Sequence, residues 1–288
     1  MKNLLILITT TFLVQIGCTD NSIDYFGQSP PGNIPVVFAP GIISMENRFE
    51  FGGAFSNNNK EFYFSVTTSE WDSIEIYYSK TEDRNWTKPE IVPFSSGQEL
   101  SPVFSSDGQS IFYSSHTDIY KADRDKNNWL KPVKVPLPVS SGSDEWTVRI
   151  SDNGTLYFSS TRSNNEDIFR SKLINGQYFL VENLGNIINT EFSEDAPCIA
   201  PDESYIIFTS RRPGGYGDRD LYISFQKEDS TWTTPLNLGP EINKNCFNFS
   251  PYLSPDGKYL FFSRRYEWDS MDIYWVSTSI IDDLKKEN

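Results

Sequence analysis

Apolar residues in this chain fall in short, aromatic-rich runs, each opened by a polar turn and closed by serine or threonine. The clearest is Ser254-Pro255-Asp256-Gly257-Lys258-Tyr259-Leu260-Phe261-Phe262-Ser263. Related runs open at Ser105, Ser151 and Ala200, with a degenerate copy at Ser56. Aligned on the turn aspartate, the copies stand at Asn58, Asp107, Asp152, Asp202 and Asp256, at spacings of 49, 45, 50 and 54 residues. Self-similarity at such a period marks a repeat architecture. Within a copy, Asp-Gly predicts a tight turn, because glycine accepts a positive φ and the aspartate caps the turn. The run behind it is apolar at successive positions, as in a strand covered on both faces. A second strand then starts on an acid: Glu75, Asp118, Asp167, Asp220 and Asp272. A hairpin and an outer strand follow, marked by Trp86…Pro89, Trp129…Pro132 and Trp232…Pro235, whereas the third copy has Tyr178 and Val181 instead.

Units of this length holding four short strands are the size of propeller blades, which stack face to face and bury their aromatic surfaces. The fifth copy stops after Ile273-Tyr274-Trp275-Val276 without an outer strand, while Ile34 to Ile43 looks like the outer-strand piece Pro235 to Ile242. The expectation is an all-β, five-bladed β-propeller of four-stranded blades over residues 34–280, its last blade completed by the N-terminal strand, with a tail at 281–288.

Composition adds to this picture in two ways. A chain of 288 residues with 38% hydrophobic and 15% aromatic content is ordered and rich in strand formers. A formal net charge of −14 argues against binding nucleic acid or anionic lipid headgroups by charge attraction.

The first residues form a separate unit. Lys2 precedes a short apolar stretch from Leu4 to Ile16, which fits a secretory signal peptide and is too short to span a bilayer comfortably. Gly17-Cys18 follows at once and resembles the lipobox of bacterial lipoproteins, in which the cysteine is lipidated and becomes the mature N-terminus. The resemblance implies a signal peptide at 1–17, lipidation at Cys18 and a lipid-anchored flexible tether at 18–33, around Pro30-Pro31-Gly32. The alternative is an ordinary cleaved signal with an incidental cysteine. Cys198 and Cys246 could form a disulfide in an oxidising compartment or remain two thiols.

The segment 254–263 followed by Asp272-Ile273-Tyr274, and Ser210 to Asp218 before Asp220-Leu221-Tyr222, resemble the WD40-like repeat of TolB-type β-propellers. The resemblance covers roughly residues 34–280 and implies the fold. For function it implies a binding module, an envelope scaffold or a gating domain, all of which use such propellers. The lipobox-like start, taken with the repeats, leads to the expectation of an exported protein of the cell envelope, facing the periplasm or the outer surface, with an envelope protein or glycan as partner.

Candidate chemistry is sparse. The sole histidine, His116, lacks a nucleophile-elbow sequence and reads as a surface turn residue. Neither a metal site nor a cofactor is expected, because the Cys and His ligands for zinc are lacking and Asp123 to Asn127 lacks the glycine and closing glutamate of a calcium loop. Gly214-Gly215-Tyr216-Gly217 precedes no helix and reads as a turn. Arg162, Arg211, Arg212, Arg264 and Arg265 recur after the aromatic strands and are expected to pair with Asp167, Asp220 and Asp272. The residues entering the innermost strands are Glu50, Glu99, Asp144-Glu145, Glu194 and Asp195, with Trp146 and Arg149 nearby. At a channel mouth these could bind a sugar or a cation, or supply a carboxylate pair for glycoside hydrolysis. They could equally be acids that cap backbone N–H groups in a repeated turn. The leading expectation is a non-catalytic envelope lipoprotein that binds a protein or glycan, and the alternative is a five-bladed carbohydrate-active enzyme using those carboxylates.

Overall fold

The turns predicted from sequence organise the chain locally. In the computed structural model, which describes residues 24–266 and 270–286, Asp107 accepts hydrogen bonds from the Ser105 hydroxyl at 2.6 Å and the Gln109 N–H at 2.9 Å. Gly108 sits at φ +68°, and its N–H donates to the Ser105 carbonyl at 2.8 Å. Asp256 repeats the arrangement with Ser254 and Lys258. In the degenerate first copy Asn58 takes the aspartate's place and Asn59 the glycine's, at φ +58°. Each turn joins an inner strand to the aromatic strand that follows it.

The strands then form antiparallel meanders. Phe49–Phe55, Glu61–Thr67, Ile74–Glu82 and Glu90–Ile91 make the first. Glu99–Phe104, Ser110–Ser115, Asp118–Asp125 and Val133–Lys134 make the second. Glu145–Ile150, Leu156–Ser160, Asp167–Ser171 and Glu182–Asn183 follow, then Glu194–Ile199, Tyr205–Ser210, Asp220–Phe225 and Leu236–Asn237. Phe247–Leu253, Tyr259–Tyr266 and Ser270–Ser277 complete the series, and the N-terminal strand Val36–Val37 supplies their outer partner, with Val36 opposite Trp275 and Val37 opposite Tyr274. Trp86 and Trp129 lie on the return arm of a hairpin that extends the third strand, and the outer strand comes after the proline.

Successive meanders are joined by one repeated contact, in which the start of an inner strand meets the start of the preceding meander's third strand. Glu145 N–H donates to the Thr117 carbonyl at 2.9 Å, Glu194 N–H to Glu166 at 2.8 Å, and Asn248 N–H to Arg219 at 3.0 Å. The last meander meets the first in the same way, through the parallel pairing of Phe49 with Met271. The strands therefore return on themselves as a β-propeller. Each inner strand also carries a bulge, at Gly52, Ser101, Thr147, Ala196 and Ser250, all at positive φ between 40° and 55°. A bulge re-aims the side chains after it.

Aromatic residues fill the space between meanders. Phe38, fully buried, lies within 5.0–6.1 Å of the rings of Phe55, Phe62, Phe261 and Trp275, and thus touches both the first and the last meander.

Two expected boundaries shift. Residues 24–28, placed by the sequence in a flexible tether, are packed onto the propeller. Tyr25 is buried against Phe55, Tyr259 and Trp275, Phe26 stacks on Trp86 at 4.1 Å, and Gln28 bonds the backbone of Val37 and Ala39. Aromatic burial outweighs the entropy of a free tether there. The end of the chain, expected as a tail, forms a helix over Ser279–Lys286 that buries Ile281 against the core, with Asp282 in its first turn and Lys285 and Lys286 in its last. The proposed signal peptide, Cys18 and residues 19–23 lie outside the described residues.

Candidate functional site

The inner strands carry two sets of side chains on opposite sides, because successive residues of a strand alternate. The four glutamates expected at a channel mouth belong to the set that turns into the blades. Glu50, Glu145 and Glu194 are fully buried and Glu99 nearly so. Each is held within its own meander. Glu145 accepts from Ser141 N–H at 2.9 Å, the Ser160 hydroxyl at 3.1 Å and Arg162 at 2.9 Å. Glu194 accepts from the Thr190 N–H and hydroxyl at 2.6 and 2.8 Å, from Ser210 at 2.7 Å and from Arg212 at 3.4 Å. Glu99 has no arginine among its bonded partners, but takes bonds from the Ser95 and Ser96 hydroxyls and from Ser96 and Gly97 N–H. Burial pushes its carboxyl up, yet the hydrogen bonds outweigh that and hold it below the ordinary glutamate value.

This arrangement corrects the expected pairing of the arginines. Arg162 and Arg212 reach back to the glutamates of the inner strands, and Arg264 bonds Asn248, which takes the glutamate's place in the last meander, at 3.0 Å. The antiparallel register puts Ser160 opposite Glu145 and Ser210 opposite Glu194, so an arginine two residues later is within reach. Each guanidinium also lies over two rings: Phe158 and Phe169, Phe208 and Tyr222, or Phe262 and Tyr274, at 4.5–5.2 Å. Asp167 is bonded by Ser163 and Asn183 instead. Asp220 accepts from Asn237 and from the N–H groups of Tyr216 and Gly217. That closes the glycine-rich loop on its own aspartate. A Cβ on Gly215 would stand 2.2 Å from the Asp220 carboxylate, which explains the glycine there.

Glu50 is the exception among the glutamates. Arg48 and the Met45 N–H bond one of its oxygens, and the other has no partner. Burial raises its pKa from 4.5 to about 8 despite Arg48. Between those values only the folded chain holds the proton, so this group's contribution to stability falls as pH rises. Glu50→Gln is expected to flatten the dependence of melting temperature on pH between 5 and 8. At pH 8.5 it should melt roughly 5 °C above the wild-type protein, as thermal melts across that range will show.

Of the other residues singled out by sequence, Asp195 is in an ion pair with Arg219, which also reaches Glu166 at 3.3 Å, and Trp146 is half-buried. His116 is exposed, as its sequence context predicts. Cys198 and Cys246 are free thiols. Among the described residues, no cluster of His, Cys, Asp and Glu could hold a metal ion, and no helix is long and apolar enough to cross a membrane.

Of the expected set, Arg149 borders the cavity at the centre of the ring. It stands two residues beyond the bulge, at the position filled in the other inner strands by Ala54, Val103, Cys198 and Tyr252. With Val103, Cys198 and Tyr252 it borders a central cavity of about 260 Å³ on the side of the Asp-Gly turns, away from the glutamates. A second, larger cavity of about 610 Å³ lies between the second and third meanders, against Val133, Leu137, Leu173, Tyr178 and Phe179. The sequence does not single out this groove, although Tyr178, which stands in the third copy where other copies have Trp, lines it.

No family model matches the chain, and no curated protein matches it. Solved structures do. TolB from Acinetobacter baumannii is 18% identical with a TM-score of 0.54 over 76% of this chain, which spans about half (50%) of that protein's length. A TolB-designated protein from Agrobacterium tumefaciens is 17% identical with a TM-score of 0.53, over 80% of this chain and 77% of that one. An α-L-arabinofuranosidase from Lactobacillus brevis is 14% identical with a TM-score of 0.50, over 81% and 91%. Such likenesses speak to fold and leave activity to the site itself. By its fold this chain is a TolB-like β-propeller.

Proposed function

We propose that this protein is a non-catalytic, lipid-anchored envelope propeller of five blades that binds a partner protein through the groove between its second and third meanders. The observation that carries the reading is the concentration of exposed apolar side chains there. Leu137 is 75% exposed, Phe179 60%, Val133 59% and Leu173 41%, a density that marks interaction surfaces on soluble proteins. The outer strand Val133–Lys134 pairs on one side only among the described strands, with Asp118–Asp125, so its other edge offers backbone groups beside the apolar wall. An extended segment with alternating apolar side chains is the occupant such an edge and wall suit. The inner-strand glutamates favour the same reading over glycoside hydrolysis. That reaction needs two carboxylates facing one sugar, whereas here each is enclosed within its own meander.

A photo-crosslinking residue at Phe179, introduced into the full-length protein in its native envelope, is expected to capture one discrete protein that sediments with membranes. The same residue at Ile91, exposed on a different meander, should capture none. Cys18→Ser should release the adduct to the soluble fraction. Phe179→Asp should weaken the purified complex at least about tenfold, the cost of a charge in an apolar contact. Specific turnover of an envelope glycan by the purified protein would overturn the reading.

A further inference from the structure

The central cavity holds a charge that the protein does not neutralise. Arg149 is 3% exposed, and arginine keeps its proton in proteins. Its guanidinium donates to two backbone carbonyls, Val148 at 2.9 Å and Pro251 at 3.3 Å, while its Nε–H has no partner. Among the described residues no carboxylate lies within ion-pair distance of it, in contrast to Arg162, Arg212 and Arg219. The titratable groups beside the guanidinium, Cys198 and Tyr252, supply no negative charge either. Burial pushes the Cys198 thiol up to about 11 against the pull of Arg149, and burial likewise raises the Tyr252 phenol, so both remain neutral. The equivalent positions Ala54 and Val103 are apolar. A buried, unpaired guanidinium is strongly unfavourable, and a bound counter-charge would offset that cost.

The walls define that counter-charge. Phe104, Ile150, Ile199 and Leu253 make them apolar, and Ser105 and Ser254 add neutral polar atoms. Asp152, exposed and also bordering the cavity, repels a dianion more strongly than a monoanion. We infer that the central cavity is a binding site for a single carboxylate carried on a short apolar stem, with the Arg149 guanidinium as its anchor. A small aliphatic acid and the C-terminus of a peptide share this chemistry. The site adjoins the groove between the second and third meanders, sharing Ser105, Ser106 and Ile150 with it, but Arg149 borders the central cavity and not the groove, so the two readings are tested independently.

The test is the melting temperature of the purified protein at constant ionic strength. The probes are butanoate against butanamide, and the tripeptide Gly-Ala-Leu with a free against an amidated C-terminus. At least one of the acids is expected to raise the melting temperature by roughly 5–10 °C at a hundredfold excess over its Kd, with its amide inert. A response to the peptide alone identifies a chain terminus as the ligand, and a response to butanoate alone identifies a free acid. Arg149→Met should abolish the response and, without ligand, melt no lower than wild type, because it removes an uncompensated charge. The inference is overturned if neither acid exceeds its amide on the wild-type protein, or if the response persists in Arg149→Met. A much lower melting temperature of the unliganded variant would also overturn it, since the guanidinium would then be a brace for the Val148 and Pro251 carbonyls.

Discussion

Phe38→Ala is expected to lower the stability of the folded chain by about 3–5 kcal/mol, among the largest single-residue losses available here. In a protein of this size that is a fall in melting temperature on the order of 10 °C. The side chain is fully buried and has ring contacts with Phe55 and Phe62 of the first meander and with Phe261 and Trp275 of the last. Its own N–H donates to the Ile273 carbonyl at 2.8 Å, extending the pairing of Val36 and Val37 with the last strand. Truncation therefore opens a cavity at the seam where the two ends of the chain meet. Hydrogen exchange should show the loss concentrated in Val36–Val37 and Ser270–Ser277, whereas a cavity elsewhere in the core would leave that seam protected. Equal loss of protection across all meanders would mean that Phe38 has no special part in closure.

Glu145→Ala is expected to cost about 3 kcal/mol, measured by denaturant unfolding of the purified protein. It strands Arg162 and leaves the Ser141 N–H and Ser160 hydroxyl without their acceptor. The value sits at the lower end for a broken buried pair because the Arg162 side chain retains 17% exposure. Glu145→Gln, which keeps an acceptor, should lose clearly less. The paired variant Glu145→Met with Arg162→Met should recover much of the loss, because neither partner is then left buried alone. A Glu145→Ala protein as stable as wild type would return this glutamate to the list of groups available for chemistry.

Much of the fold was readable before any coordinates. The Asp-Gly turns, the doubly covered aromatic strands and the need for an N-terminal partner to the last strand all follow from local residue chemistry repeated at one period. His116 on the surface and the self-contained turn around Gly215 follow from their neighbours in sequence. Repeat alignment could also have exposed Arg149, since the corresponding residues Ala54, Val103, Cys198 and Tyr252 are all uncharged.

Other features depend on which way a side chain points and on which strand lies opposite, and these are properties of the assembled sheets. Glu145 and Trp146 are neighbours in sequence but belong to opposite sides of one strand, so the glutamates that the sequence places at a channel entrance turn into the blades. Arg162 precedes Asp167 by five residues, yet the antiparallel register brings it to Glu145, seventeen residues earlier. Tyr25 and Phe26 read as tether because only the joined first and last meanders provide the surface that buries them. The sequence by itself thus determined the repeated unit, whose turns and strands are stabilised by residues close along the chain. The tertiary structure alone decided the pairing of charges, the exposure of Leu137 and Phe179, and the unneutralised Arg149, because burial and electrostatic compensation depend on neighbours that only packing supplies.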